Sequence, residues 1–388
     1  MVDVREEVLE LSQRGPRVFA TLMRGGTSKC WMFREADLPG DTRTRDRLLA
    51  RLFGSPEPRQ IDGIGGATST TSKAVVIGAA RAGHIEYQVA QLSPGNVKVE
   101  WTSNCGNCAS ALGLFVVEER LVNLGDPITT ATILNTRTGL RIDAELDTPA
   151  ARAPSGGDTL ITGTLYGGAR VVLSFPADSW SSYGSTLSTG EAIETISVNG
   201  MDLRVTMVDA GTPAALVWAE DLIPGVSDLA QVAENSLDTL LKLRPIVAKA
   251  MHIGEQGGVA LDSIPKIGVV GPSSDPGSDL NVQMLSMRGL HPAISITSTV
   301  AVGAASGIEG STASRAIRVT NHGEDFSRPS LRIGTAAGAV EVGLTRSASG
   351  GVVAVTCLRS ARRLVDGAIY LPPDGDLDRQ FDPPAAAS

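Results

Sequence analysis

The feature that most constrains this chain is a succession of short, β-branched, near-alternating runs separated by glycine turns. RVFATLM (17–23), KAVVIGAA (73–80), HIEYQVAQL (84–92), NVKVEWT (96–102), TATILNT (130–136), TLITGTLYG (159–167) and ARVVLSF (169–175) all read as strands. Turn signals such as R-A-G-H and S-P-G-N stand between neighbours, as hairpins require, and 43 glycines fit many tight turns. Helical spacing is confined to 46–53, 105–121, 227–251 and 298–309, with Ser103-Asn104 as the expected cap of the second. The fold class is therefore mixed α/β (α+β), rich in strands.

At 388 residues the chain exceeds one ordinary core, so two domains are expected. A Ser/Gly-rich stretch, PADSWSSYGSTLSTGE (176–191), reads as the linker, and a second series of strands opens after it with TISVNGMDLRVTMVDAG. This sets the domains at 1–188 and 189–370, with 371–388 a tail that packs back on the first. The halves also echo each other. A lysine opens a strand in STTSKAVVI (69–77) and in LDSIPKIGVV (261–270), and 32 residues separate Lys73 from Cys105 as they do Lys266 from Ser298. An internal duplication with a cleft between its halves is the arrangement this implies.

Several partner classes are disfavoured. A net charge of −8 and 4% aromatic residues argue against nucleic acid, which needs a basic face and stacking platforms. No apolar run approaches a membrane span, and MVDVREEVLE at the start is not a secretion signal. Four cysteines (Cys30, Cys105, Cys108, Cys357) are too few for a disulfide scaffold, so a reducing cytoplasm is the expected location. No nicotinamide dinucleotide is implied, since no G-x-G-x-x-G opens a helix after a strand. The four histidines show no telling partner spacing, although His252 and His291 are candidates for a pocket.

Three segments carry chemistry. M-R-G-G-T-S-K at 23–29 offers the backbone amides of Gly25 and Gly26, the hydroxyls of Thr27 and Ser28 and the charges of Arg24 and Lys29, a cradle for carboxylate or phosphate. Read otherwise, it is a glycine turn with solvated basic residues, and it lacks Walker spacing. D-G-I-G-G-A-T-S-T-T-S-K at 62–73 brings Ser69, Thr70 and Ser72 ahead of Lys73. Such a lysine usually reaches solvent, but held in a half-buried cleft its pKa would fall toward neutrality, giving a base. S-N-C-G-N-C at 103–108 puts Cys105 at the first turn of a helix, where thiolate character is expected to rise. The amides of Gly106 and Asn107 there favour a bound carboxylate, and Asn104 and Asn107 can orient substrate oxygens. Cys108, one turn in, reads as an inert core residue. C-G-N-C could be half a zinc site or a thiol–disulfide motif, but no second ligand pair completes the first and no βαβ pattern surrounds the second.

Taken together, Met23 to Lys29, Asp62-Gly63 with Gly65-Gly66 and Ser69 to Lys73, and Asn104 to Asn107 resemble the PrpF family. Asp209-Ala210-Gly211-Thr212-Pro213, Pro265-Lys266-Ile267, His291-Pro292-Ala293 and Ile308-Glu309-Gly310-Ser311 extend the match in order to residue 311. The resemblance implies two similar diaminopimelate epimerase-like domains, each a curled, mostly antiparallel sheet around a central helix, with the active site between them. It also implies a metal- and cofactor-independent proton shift on an unsaturated di- or tricarboxylate such as aconitate, methylaconitate, methylitaconate or 4-oxalomesaconate. Where the epimerases carry a second cysteine, the repeat alignment puts Thr297 or Ser298. Cys30 stands where relatives mostly carry glycine.

On this reading Lys73 takes a proton γ to a carboxylate or keto group, and Cys105, or the same lysine after a small shift, returns one at the other allylic carbon. Arg24, Lys266 and the helix start hold the small anionic carboxylate substrate. The protein could act as monomer or homodimer. The competing readings are an amino-acid racemase or epimerase, a thiol–disulfide oxidoreductase using Cys105 and Cys108, and a non-catalytic carboxylate-binding protein.

Overall fold

The computed structural model describes residues 16–101, 104–181, 185–253, 264–286, 288–322 and 328–371. Ser103, the segment 261–263 and the tail after residue 371 lie outside these.

Eight strands close a ring. β1 (Arg17–Gly25), β2 (Ser28–Arg34), β3 (Lys73–Arg81), β4 (His84–Leu92), β6 (Ile128–Asn135), β7 (Arg141–Asp147) and β8 (Ala169–Pro176) pair in that order, with a short β5 (Val99–Glu100) beside β4. The last strand, β17 (Val352–Tyr370), pairs with β8 through 354–361 and with β1 through 361–370, closing the barrel. In β4 buried and half-buried residues nearly alternate, with Ile85, Tyr87, Val89 and Leu92 turned to the core. Helix α2 (Gly106–Glu118; α1 is Thr42–Phe53) threads the barrel and packs on β1, β2, β6, β7, β8 and β17. Its residues Ala109, Leu112, Leu114, Phe115, Val116 and Val117 point in all directions and are all buried. A helix apolar all round is a core helix.

The second half repeats the order of pairings. β10 (Met201–Ala210) and β11 (Thr212–Trp218) form a hairpin flanked by β9 (Glu194–Val198); β12 (Lys266–Gly271) joins β11 in parallel, and β13 (Leu280–Ser286) joins β12 antiparallel. β15 (Ser330–Thr335) joins β13 in parallel, and β16 (Gly338–Arg346) bridges antiparallel to β17; β14 is Gly289–Leu290. Hairpin, parallel, antiparallel, parallel, antiparallel, antiparallel is also the polarity sequence from β1 to β8. Helix α6 (Ile296–Ser306) occupies the place of α2, packing on β10, β11, β16 and β17. β17 thus belongs to both halves.

The expected strands at 17–23, 73–80, 84–92, 130–136 and 169–175 form. The expected helix at 227–251 is two, α4 (Leu229–Asn235) and α5 (Leu237–Ala250), because the backbone at Ser236 leaves the helical register. The helix expected at 298–309 starts earlier and stops at Ser306, and α7 (Thr312–Thr320), capped by Ser311, follows. Of the run 96–102, the described residues keep only the two of β5 in a ladder. The run 159–167 is no strand: Thr159 and Gly168 form one isolated bridge, and Leu165 and Tyr166 are 89% and 70% exposed. Its β-branched residues find no strand to pair with, so propensity is overridden by topology. The remaining helix is α3 (Ala219–Leu222).

Candidate active site

A cavity of about 880 Å³ is lined from both halves of the chain. Thr27, Ser28, Ser69, Thr70, Lys73, Asn104, Cys105, Gly106 and Asn107 reach it from the first, and Lys266, Thr297 and Ser298 from the second. Arg24, Gly25, Gly26 and Ser72 do not line it.

The reasons for those four exceptions are visible. Arg24 Nη1 donates to the carbonyls of Gly26 and Ser360 and to Ser360 Oγ, and Nη2 to the carbonyl of Gly167, at 3.0–3.3 Å. The guanidinium ties strand ends together; it is not a carboxylate clamp. The Gly26 amide is spent on Ser360 O at 2.8 Å, so it is not an oxyanion donor. Gly25 and Gly26 instead let the β1–β2 hairpin abut α2, since a Cβ on either would stand 1.9 or 2.0 Å from Asn107 oxygens. Ser72 is buried, its hydroxyl bonded to Gln60 Oε1 at 2.5 Å and accepting from the Gly66 amide, which shapes the loop ahead of Lys73.

Lys73 opens β3, with its Nζ donating to Gln91 Oε1. Gln91 Nε2 in turn donates to Ser72 O at 3.1 Å. Register makes this a row: Lys73 pairs with Gln91 across β3–β4, and Gln91 with Glu100 across β4–β5. Cys105 is the N-cap of α2, its sulfur accepting from the Cys108 amide at 3.2 Å, so the cysteine itself fills the role expected of Ser103-Asn104. Asn104 bridges the halves: it donates to Gly211 O at 3.1 Å and accepts from Asn135 and Thr138. Asn107 donates to the hydroxyls of Thr27 and Ser28 at 3.1 and 3.3 Å. Both asparagines therefore brace the wall, while Thr27 and Ser28 retain hydroxyl hydrogens to give a ligand. The first amides of α2, at Gly106 and Asn107, have no acceptor within the helix.

Repeat geometry corrects one alignment. α6 is capped by Ser295, whose Oγ accepts from the Ser298 amide at 3.2 Å, as Cys105 accepts from Cys108. The counterpart of Cys105 is Ser295, and Ser298 matches Cys108. Equal spacing from the lysines misled because the whole segment from lysine to helix cap is three residues shorter in the second half, 29 against 32. Ser295, Thr297 and Ser298 make a hydroxyl cluster with oxygens 2.8–3.3 Å apart.

The electrostatics depart from expectation at Cys105. The neighbouring Cys108 thiol, and then burial, push its pKa well above the ordinary cysteine value, so it rests as a thiol. Burial does the same to Cys108. The helix N-terminus does not overcome desolvation here. For Lys73 burial is the largest influence and disfavours the ammonium, but the charges of Cys105, Cys108, Cys30 and Glu100 outweigh it, and the pKa stands above the ordinary lysine value. Most of that attraction is to thiolates, and Cys105 and Cys108 both resist ionising. With the thiols protonated, burial of Lys73 is opposed by Glu100 and by the hydrogen bond to Gln91, and Lys73 and Cys105 titrate as a pair. Lys266, the counterpart of Lys73, is pulled down to about 8 by burial, Arg244 and Lys73, against Glu100. His291 is lowered chiefly by burial and accepts the Ala293 amide on Nδ1 at 3.0 Å, so it faces the cavity as a neutral imidazole.

Sequence reading missed Gln91, Glu100 and Arg359 on the cavity wall. Gln91 and Glu100 carry no motif; only the strand register joins them to Lys73.

A family profile described as "PrpF protein" matches residues 16–372. The chain is 30% identical over 375 residues to 3-methylitaconate isomerase of Eubacterium barkeri, covering 92% of this chain and 97% of that one. It is 35% identical over 356 residues to (4E)-oxalomesaconate Delta-isomerase of Novosphingobium sp. (strain KA1), covering 90% and 96%. A crystal structure of methylitaconate-delta-isomerase superposes with a TM-score of 0.77 at 27% identity, covering 97% of this chain and 99% of that one.

Proposed function

The chain belongs to the PrpF family, and from that premise we propose that it is an isomerase that moves a proton, and with it a C=C bond, on a small unsaturated di- or tricarboxylate. The observation that carries the reading is the meeting of Lys73, Cys105 and Lys266 in one cavity walled by hydroxyls and a helix start. We place the domains at 1–188 and 189–370, epimerase-like in fold, with this cavity as the cleft between them, in a cytoplasmic protein that needs no cofactor.

The chemistry follows from the pair. With one proton removed, Lys73 is an amine and Cys105 a thiol. The amine takes the proton γ to a carboxylate, and the electron pair delocalises into a dienolate. The amides of Gly106 and Asn107 and the hydroxyls of Thr27 and Ser28 stabilise its oxyanion; one such donor is worth roughly 10²–10³ in rate. The Cys105 thiol delivers its proton to the other allylic carbon. The resulting thiolate regains a proton from the Lys73 ammonium, restoring the starting pair with atoms and charge balanced. Positioned acid–base groups of this kind contribute roughly 10²–10⁴. Lys266 holds a substrate carboxylate as a cation.

Ser295 in place of a second thiol argues against a two-thiol racemase. Incubation with 3-methylitaconate, 2-methyl-aconitate and 4-oxalomesaconate in D₂O, followed by NMR, tests the reading. Deuterium at an allylic carbon with a shifted or isomerised double bond is expected; exchange with none of them, or exchange at Cα of amino acids, contradicts it.

A further inference from the structure

Arg359 is placed by β17, the strand both halves share. Successive odd residues of this strand descend one face of α6: a Cβ on Gly303 would meet Val355 at 3.1 Å, and Cys357 Sγ lies 3.6 Å from Thr299 Oγ1. Side chains two apart on a strand share a face, so Arg359 is the next step, toward the first turn of α6, and it lines the cavity with Ser295 and Ser298. The alternate residue, Ser360, faces the first barrel, where it accepts from Arg24.

Besides Lys266, two further cations reach the cavity, and both are engaged by the protein. Lys73 bonds Gln91, and Arg137 donates to Gln88 at 3.2 Å while lying over the Trp101 ring at 5.8 Å. Arg359 has a single bond, from Nη1 to the carbonyl of its own neighbour Leu358 at 2.9 Å. Its Nε is buried without a partner, and no carboxylate pairs with it among the described residues. A desolvated guanidinium left in this state is costly unless a ligand anion completes it. Burial accordingly lowers its pKa.

We infer that Arg359 receives an additional carboxylate of the substrate and makes this site select tricarboxylates over dicarboxylates. The inference rests on the polycarboxylate reading of the cavity. Dienolate stabilisation at α2 uses one carboxylate and Lys266 a second; Arg359 enters the cavity from a third element, the shared strand, with the forked geometry suited to a third.

Propane-1,2,3-tricarboxylate and glutarate differ by one carboxylate and need no turnover, so calorimetric titration of the full chain with each isolates the contact. The wild-type protein should bind the tricarboxylate roughly 10–100-fold more tightly, the range of a charged hydrogen-bonded contact. Arg359→Gln should bring that ratio close to one while leaving glutarate affinity nearly unchanged, which also reports that the variant is folded. If Arg359→Gln does not fold, Arg359→Met carries the same comparison. Equal weakening of both ligands, or an unchanged ratio, would overturn the inference while leaving the isomerase reading intact. Wild-type protein that binds neither ligand would remove the polycarboxylate reading and the inference with it.

Discussion

Cys105 and Ser295 cap the central helices of the two halves in the same way, each side chain accepting the amide three residues on. The chain has thus kept the geometry of a symmetric site while placing a thiol on one side and a hydroxyl on the other. A hydroxyl is far too weak an acid to mirror the thiol, so in the proposed reaction proton delivery is one-sided and the lysine at the start of β3 is the base.

Arg24 separates structure from binding. Its guanidinium serves the carbonyls of Gly26, Gly167 and Ser360. Arg24→Lys keeps the charge but loses the fork, and should lower unfolding stability by about 1–3 kcal/mol in urea titrations. KM should be essentially unchanged. A raised KM with intact stability would return Arg24 to the substrate.

A similar argument applies to Gly25. A Cβ there would stand 1.9 Å from Asn107 O and 2.8 Å from Ala111 Cβ, neither at the end of a flexible side chain. Gly25→Ala should cost about 1–3 kcal/mol of stability through overpacking and should lower kcat by displacing the start of α2. Thermal unfolding and steady-state kinetics on one preparation check both halves of this statement.

The pH dependence follows from Lys266, whose pKa is held at about 8 and which faces Arg244 on α5, Lys73 on β3, Glu100 on β5 and His291. In the proposed reaction its cationic form holds the carboxylate. A lowered pKa means that this form is complete below about 8 and is lost as pH rises through it. Hence kcat/KM should fall above about pH 8, mainly through a rising KM, because a bound anion keeps the ammonium charged. Lys266→Arg, charged throughout, should move that limb to higher pH. A limb unmoved in Lys266→Arg would assign it to another group.

Much of this was legible in the sequence, and the failures have physical causes. Alternation marked β4 at its full length, and the hydroxyl-rich loop before Lys73 and the turn into Cys105 announced the site. TLITGTLYG looked as strand-like as any other run, but Leu160–Gly163 form part of the cavity wall with no ladder to join. The thiol's raised pKa depends on the Cys108 thiol beside it and then on burial, and burial is set by tertiary packing that local spacing does not encode. Arg359 sits in the run RSARR, and its direction is decided by β17 bridging both halves, a contact some 200 residues from the repeat it completes.

The central claim is that Lys73 removes the proton and Cys105 returns it, and the most direct test lets each act alone in D₂O. Cys105→Ala should still place deuterium at the γ-carbon of recovered substrate, while product formation falls by roughly 10²–10⁴. Lys73→Ala should abolish both exchange and product. Deuterium entering recovered substrate at the wild-type rate in Lys73→Ala would contradict the account.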